Sequence, residues 1–203
     1  MSAFAAIAEY PSRLLKCFKT KKGNQLGFYC VRIFKDGKPL DVVVDDYIPV
    51  DHHNKAIFTR PRDSELWPTM LEKAYTKYCG SYQDMALENC AEVLETVTSA
   101  PTDFLFHKDY DMLTVWEKLK DYAKSNYIMT GICGYNKSKM VAHHGYAIVN
   151  VYEFPSLKLV KLRDSWSSKQ WKEIIGKLSV RWTKELKRAV HFHADEKGAI
   201  YMQ

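Results

Sequence analysis

The segment from His143 to Trp166 constrains the fold more than any other part of the chain. Two runs of alternating and β-branched residues, Tyr146 to Tyr152 and Leu157 to Leu162, flank the turn signal Phe154-Pro155-Ser156. Two such runs joined by a short connection predict a β-hairpin. Pairing of the strands then brings the beginning of the first strand close to the end of the second.

The predicted hairpin places His144 near Asp164, although twenty positions separate them in the sequence. A carboxylate that holds an imidazole fixes its tautomer and stabilises its protonated form, which is the base-and-orienter half of a catalytic triad. An ordinary salt bridge, or two solvated side chains, is compatible with the same spacing. The two residues are therefore a candidate catalytic pair that still needs a nucleophile.

Patterns elsewhere in the chain predict an α+β protein with two lobes. Asp36-Gly37 between two strand-like runs predicts another hairpin, and apolar residues at helical spacing, with Pro68 in the first turn and Gly80 at the end, predict a helix. Helices mostly come first and strands mostly second, with a boundary near Thr98 to Pro101. We expect a mainly helical first lobe, residues 1–99, and a β-rich second lobe, residues 100–203, that carries His144 and Asp164.

Composition narrows the functional classes. The chain has 203 residues and a net charge of +6, and no apolar run reaches membrane-spanning length or resembles a secretory signal. Five cysteines, an odd number without a C-x-x-C pair, indicate reduced thiols and a cytoplasmic location. Ten Lys or Arg against three acids between Lys158 and Arg188 form either a docking face for an acidic partner or a solvated surface.

Five segments in this order and spacing resemble the protease core of the calpains, a branch of the papain-like cysteine peptidases. They are GFYCVRIFKDGKPLDVVVDD, SELWPTMLEKAYTKYCGSY, HGYAIV, LVKLRDSW and KGAIYM. The resemblance covers nearly the whole chain and implies the papain-like fold, cysteine endopeptidase activity, and protein as substrate or partner. It places His144 at the catalytic base, Asp164 where the family usually has asparagine, and Trp166 at the tryptophan packed beside them.

The resemblance also implies that the nucleophile is missing from residues 1–203. The calpain cysteine lies in a Gly-Asp-Cys segment that opens the first helix, and MSAFAAIAEYP resembles the part just after it. Ser2 to Ala8 is small and apolar like a buried helix, which is unusual for a chain terminus and suggests a start in mid-domain. None of the cysteines falls at the matching place, so we expect no nucleophile in this chain: Cys17, Cys30, Cys79, Cys90 and Cys133.

Calcium is the cofactor that the resemblance raises, since calpain cores respond to this ion. Glu65 matches one ligand position of the first lobe, and the matching positions in the second lobe are Gln170, Lys177 and Lys197. Calcium prefers clustered oxygen ligands, and two lysines do not provide them. We therefore expect no calcium binding by the second lobe and no metal site.

Two other patterns have simpler interpretations. His191, His193 and Asp195 would share a face on a strand and suggest zinc, but solvated histidines explain them without a fourth ligand, and the same holds for His52 and His53. Tryptophans in basic surroundings suggest single-stranded nucleic acid, although core packing suits them better because no nucleic-acid fold motif is present. Those tryptophans are Trp166, Trp171 and Trp182.

Two functions of different class remain. The first is a calpain-like cysteine endopeptidase catalytic domain that lacks its nucleophile in residues 1–203 and is inactive in this form. The second is a non-catalytic pseudopeptidase that binds a protein partner through the old substrate cleft or the basic face. Neither requires nucleic acid or membrane insertion.

Overall fold

The computed structural model describes residues 1–23, 25–60, 65–85, 89–134, 140–165, 182–193, 196 and 198–203. It divides into two compact units. One consists of Met1–Glu9 with Phe104–Gln203, and the other is Tyr10–Asp103. The helices are α1 (Ser2–Ala8), α2 (Pro11–Leu14), α3 (Trp67–Cys79), α4 (Tyr82–Met85), α5 (Cys90–Thr98), α6 (Met112–Lys124) and α7 (Lys184–Ala189). The strands are β1 (Phe28–Lys35), β2 (Lys38–Asp45), β3 (Met129–Cys133), β4 (His144–Phe154), β5 (Leu157–Arg163) and β6 (Ala199–Met202).

The continuous unit, Tyr10–Asp103, contains the predicted first hairpin. Strands β1 and β2 pair antiparallel around Asp36-Gly37, whose φ angles of 51° and 71° suit the left-handed region that such a tight turn requires. Helix α3 begins at Trp67 with Pro68 in its first turn and ends before Gly80, which has φ 102°. The predicted hairpin and the predicted helix are therefore both confirmed.

The other unit is built on a four-stranded antiparallel sheet in the order β3-β4-β5-β6. Strands β4 and β5 form the predicted hairpin, with Phe154 paired to Leu157 across the turn and Ala147 paired to Arg163 at the far end. Each strand lies beside its neighbour in sequence. The hairpin prediction is therefore confirmed.

Side chains alternate between the two faces of this sheet, and each face has its own apolar cluster. Tyr146, Leu162 and Ile200 form the buried centre of one cluster. The buried centre of the second cluster contains Leu159, Trp182, Val190 and Tyr201. The observed mixture of helices with two antiparallel sheets confirms the predicted α+β class.

Helix α1 belongs to the unit with the four-stranded sheet because its apolar side chains are buried there. Ala3, Phe4, Ala6 and Ile7 are almost inaccessible to solvent, and α1 contacts β3, β4 and β5. The compact units therefore group residues 1–9 with the C-terminal half. The compact units are defined by contacts between residues, whereas the predicted lobes, 1–99 and 100–203, are continuous ranges of sequence. The lobes stay a prediction.

The segment around the last histidines differs from the sequence prediction. Helix α7 ends at Ala189, His191 follows with φ 49°, and His191 and His193 lie in a turn and a loop. The expectation that they share the face of a strand is wrong because the preceding residues complete a capped helix. The longest helices, α3 and α6, have 13 residues each, and nothing within the described ranges qualifies as a transmembrane helix.

Candidate active site

His144 is the first residue of β4 and is oriented by an irregular backbone just before it. His143 has φ 55°, in the left-handed region that non-glycine residues seldom adopt. Its N–H donates to the carbonyl of Cys133 at 2.6 Å, and Cys133 is also the cross-strand partner of His144. His143 and His144 thus both meet Cys133 of β3, an arrangement like a β-bulge, which re-aims the following side chain.

The structure brings His144 and Asp164 together, as the hairpin predicts. The Nε2 atom of His144 lies 2.9 Å from Oδ1 of Asp164. The two residues are only 7% and 8% exposed, so water competes little for this contact. An ionised carboxylate can only accept a hydrogen bond, so Nε2 donates and Nδ1 is the ring nitrogen suited to accept a proton. This is the geometry of a base held by an orienting carboxylate.

Tyr146 packs against the imidazole from the same face of β4. The two ring centroids are 4.7 Å apart and the planes meet at 85°, an edge-to-face contact. The Tyr146 hydroxyl accepts a hydrogen bond from the N–H of Val141 at 3.2 Å. Burial, with the nearby Asp164 carboxylate adding to it, raises the pKa of Tyr146 above its usual range. Tyr146 therefore stays neutral, and its ring packs against one side of the His144 imidazole.

A network of charged side chains anchors the strand end that carries Asp164. Arg163 forms ion pairs with Glu9, at the end of α1, and with Glu196 at 2.7 Å. Lys161 lies 2.8 Å from the same Glu196. Burial acts to raise the pKa of Glu196, but Lys161 and Arg163 outweigh it and hold the pKa below its usual range. Glu196 is therefore a carboxylate at neutral pH and joins β5 to the segment before β6.

Sequence reasoning missed Glu9, Glu196 and Gly198. Gly198 reaches Asp164 through the backbone, since the N–H of Asp164 donates to the carbonyl of Gly198 at 2.9 Å. A turn signal at Glu196 to Gly198 was visible in the sequence, but it does not indicate which strand end the turn faces. Nothing in the sequence near Glu9 points to Arg163, which lies 154 positions away.

Several predicted site residues lie outside the described residues. Trp166 is one, and the proposed supporting role for it stays a prediction. Gln170, Lys177 and Lys197 are also outside, so the calcium question depends on the donor chemistry. Ammonium groups cannot ligate a cation, so the matching positions of the second lobe do not fit calcium. Glu65, the matching position of the first lobe, is exposed before α3. We derive no step that uses calcium.

The cysteines differ sharply in environment. Cys17 is 4% exposed, its Sγ lies 3.8 Å from the carbonyl of Val97, and burial raises its pKa to about 11. A thiol in this state is a poor nucleophile at neutral pH. Cys133 is partly exposed, and its side chain shares a sheet face with His144 and packs beside the Tyr146 cluster.

Within the part of the chain that the structure describes, no three His, Cys, Asp or Glu side chains are grouped as metal ligands. His52 and His53 are exposed, with ring centroids 3.8 Å apart. The neighbouring Asp51 accepts hydrogen bonds from the backbone N–H groups of His53 and Lys55, which shapes the loop. Asp195, the third member of the other predicted group, lies outside the described residues.

Comparison with known proteins agrees with this geometry. The model for the calpain family cysteine protease matches residues 1–203. Calpain-7 of Homo sapiens is 29% identical over 182 residues, which cover 83% of this chain and 22% of calpain-7. The calpain-type cysteine protease DEK1 of Zea mays is 28% identical over 217 residues, which cover 100% of this chain and 10% of DEK1.

Calpain-12 of Homo sapiens is 26% identical over 195 residues, 90% of this chain and 27% of that protein. The chain thus spans at most 27% of the length of these three relatives. A family match along every residue, an α+β architecture and a buried His–Asp pair are mutually consistent. The chain belongs to the calpain family of cysteine proteases.

Proposed function

We propose that this chain carries the base half of a calpain-like cysteine endopeptidase site, with His144 as the general base and Asp164 as its orienting carboxylate. The observation that carries the proposal is the buried contact of 2.9 Å between His144 Nε2 and Asp164 Oδ1. It leaves Nδ1 as the nitrogen that takes a proton. The substrate class that we propose is protein, in keeping with the family.

In the proposed reaction, a cysteine thiol gives its proton to Nδ1 of His144 and the thiolate attacks the carbonyl carbon of a peptide bond. The imidazolium then protonates the departing amine, and water hydrolyses the resulting thioester. Asp164 accepts the hydrogen bond from Nε2 and holds the ring throughout. The role of Asp164 does not require asparagine, because a carboxylate oxygen accepts the Nε2 proton as an amide oxygen does.

We further propose that residues 1–203 do not cleave peptides by themselves and that the nucleophile is a cysteine outside them. Cys17 is buried with a raised pKa. Cys133 is the cross-strand neighbour of His144 in the same sheet, so its thiol does not face the imidazole across a cleft. A site of this chemistry needs a thiolate that reaches both the substrate carbonyl and Nδ1.

The test begins with the natural protein. The 5′ end of the transcript and the N-terminal peptide of the endogenous protein define the full natural chain, whose peptide hydrolysis is compared with that of residues 1–203. We expect thiol-dependent hydrolysis by the natural chain, its loss in His144→Ala, and its retention in His53→Ala, which changes an exposed histidine.

Hydrolysis by residues 1–203 that disappears in Cys133→Ser would assign the nucleophile to this chain and overturn that part of the proposal. A natural chain that is folded but inactive would contradict the proposed activity. It would leave the pseudopeptidase, a protein-interaction module, as the function.

A further inference from the structure

We propose that Gly198 is a positioning residue for the His144–Asp164 pair. It acts through the backbone of Asp164, and its lack of a side chain sets where the carboxylate lies. The consequence for catalysis rests on the proposed function, whereas the effect on the geometry of the pair does not.

The first observation is how closely the two backbones approach each other. The N–H of Asp164 donates to the carbonyl of Gly198 at 2.9 Å, which continues the β5–β6 ladder one step beyond Arg163 and Ala199. A Cβ added to Gly198 would lie 2.5 Å from the carbonyl oxygen of Asp164 and 3.5 Å from its carbonyl carbon. The contact is with the backbone, so no side-chain rotation can relieve it.

The second observation concerns which side of the contact can move. Arg163 is held by Glu9 and Glu196, and Leu162 is paired with Ile200 inside a buried cluster. The body of β5 is thus fixed up to residue 163. Asp164 lies just past the end of the strand, so the peptide of Asp164 takes up the displacement that a side chain at position 198 imposes.

The displacement acts on a short hydrogen bond. N–H···O bonds weaken steeply when their distance or angle leaves the usual range. The His144 Nε2 to Asp164 Oδ1 distance of 2.9 Å tolerates a lengthening of only a few tenths of an ångström. We therefore expect substitution of Gly198 to break or weaken the bond that holds His144 in its tautomer.

A side chain at position 198 also has a conformational cost that must be separated from the contact. Gly198 has φ +74°, where any L-residue is disfavoured. Gly37 provides the matched control, since it has φ +71° and nothing lies within 4 Å of a Cβ built there. Alanine at position 37 therefore carries the same backbone cost without the contact.

The experiment records the imidazole N–H signal of His144 by nuclear magnetic resonance in the full chain labelled with nitrogen-15 histidine. The variant His144→Gln assigns this signal among the seven histidines. We expect Gly198→Ala to shift the Nε2 proton signal or abolish it by exchange with water. Gly37→Ala should leave the signal unchanged, although it bears the same backbone cost at positive φ.

Gly198→Asn repeats the test with a residue that tolerates positive φ better than alanine, so it is measured in place of Gly198→Ala if the latter does not fold. An unchanged Nε2 signal in either folded variant would overturn the proposal. So would an equal change in Gly37→Ala. The experiment reads the Nε2 proton signal and not peptide hydrolysis. The role of Gly198 in positioning the pair is therefore tested even if the proposed peptidase activity is absent.

Discussion

His144 Nε2 lies 2.9 Å from Asp164 Oδ1 at the open end of a single hairpin, and both residues are buried. The register of the hairpin fixes this contact, since Phe154 faces Leu157 at the turn and Ala147 faces Arg163 near the open end. The pair is therefore formed within one supersecondary unit. Its geometry depends on local strand pairing and on the few contacts that hold the strand ends.

Asp164→Ala should destabilise the chain by about 1–3 kcal/mol, because it leaves the buried N–H of His144 without its acceptor. Asp164→Asn should cost less, since the amide oxygen can accept the same hydrogen bond. Urea unfolding followed by tryptophan fluorescence measures both changes. Asp121→Ala, an exposed position on α6, is the control and should have little effect. Equal losses in Asn and Ala would show that the hydrogen bond contributes nothing.

His143→Gly should stabilise the chain by about 0.5–1 kcal/mol, because glycine adopts the left-handed region without the steric cost that histidine bears. His143 is exposed, so its side chain loses little packing. His143→Val should lower stability, since β-branched residues are strongly disfavoured at φ 55°. Thermal unfolding checks the order glycine, histidine, valine. His107→Gly, outside the positive-φ positions, should show no gain.

Cys17 should react with iodoacetamide more slowly than Cys133 by roughly an order of magnitude or more. With a pKa of about 11, the thiolate fraction of Cys17 near pH 8 is roughly one in a thousand, and the side chain is buried. Peptide mapping by mass spectrometry over a time course gives the two rates. Urea should abolish the difference, and early labelling of Cys17 in the folded chain would contradict its burial.

Acid should weaken the network around Glu196. The pKa of Glu196 is held below its ordinary value of 4.5 in the folded chain, so its contribution to stability is complete above that value. The contribution is lost as the pH falls through the lower folded pKa, since the unfolded chain binds the proton first.

The urea midpoint should therefore fall as the pH drops below 4.5, and it should fall less steeply in Glu196→Gln. Glu95→Gln, an exposed change on α5, is the comparison variant and should keep the slope of the parent chain. If the urea midpoint of Glu196→Gln changed with pH as steeply as that of the parent chain, Glu196 would not be a source of the acid sensitivity.

The parts of the fold that followed from the sequence are those that local patterns determine. Alternation around Phe154 to Ser156 predicted the hairpin and with it the approach of His144 to Asp164. The left-handed turn at Asp36-Gly37 and the proline and glycine that bound α3 predicted the other elements. Each depends on residues within a few positions of one another, which is what propensity and periodicity report.

The parts that did not follow depend on distant residues or on a signal that was overlooked. The pairing of Glu9 with Arg163 arises only once α1 packs on the sheet, and no periodicity encodes it. Thr183 accepts the N–H of Leu186 as the N-cap of α7, with Glu185 in the first turn. That capping pattern was readable and indicates a helix that begins at Lys184.

Helix α1 belongs to a unit whose remaining residues begin at Phe104, so this unit is discontinuous along the chain. During synthesis the continuous unit, Tyr10–Asp103, is complete before most of the sheet exists. Residues Met1–Glu9 must wait until β5 has left the ribosome before Glu9 can meet Arg163. The buried His–Asp pair is therefore assembled late, and a ribosome that stalls before β3 releases a chain whose apolar first helix has no sheet to cover.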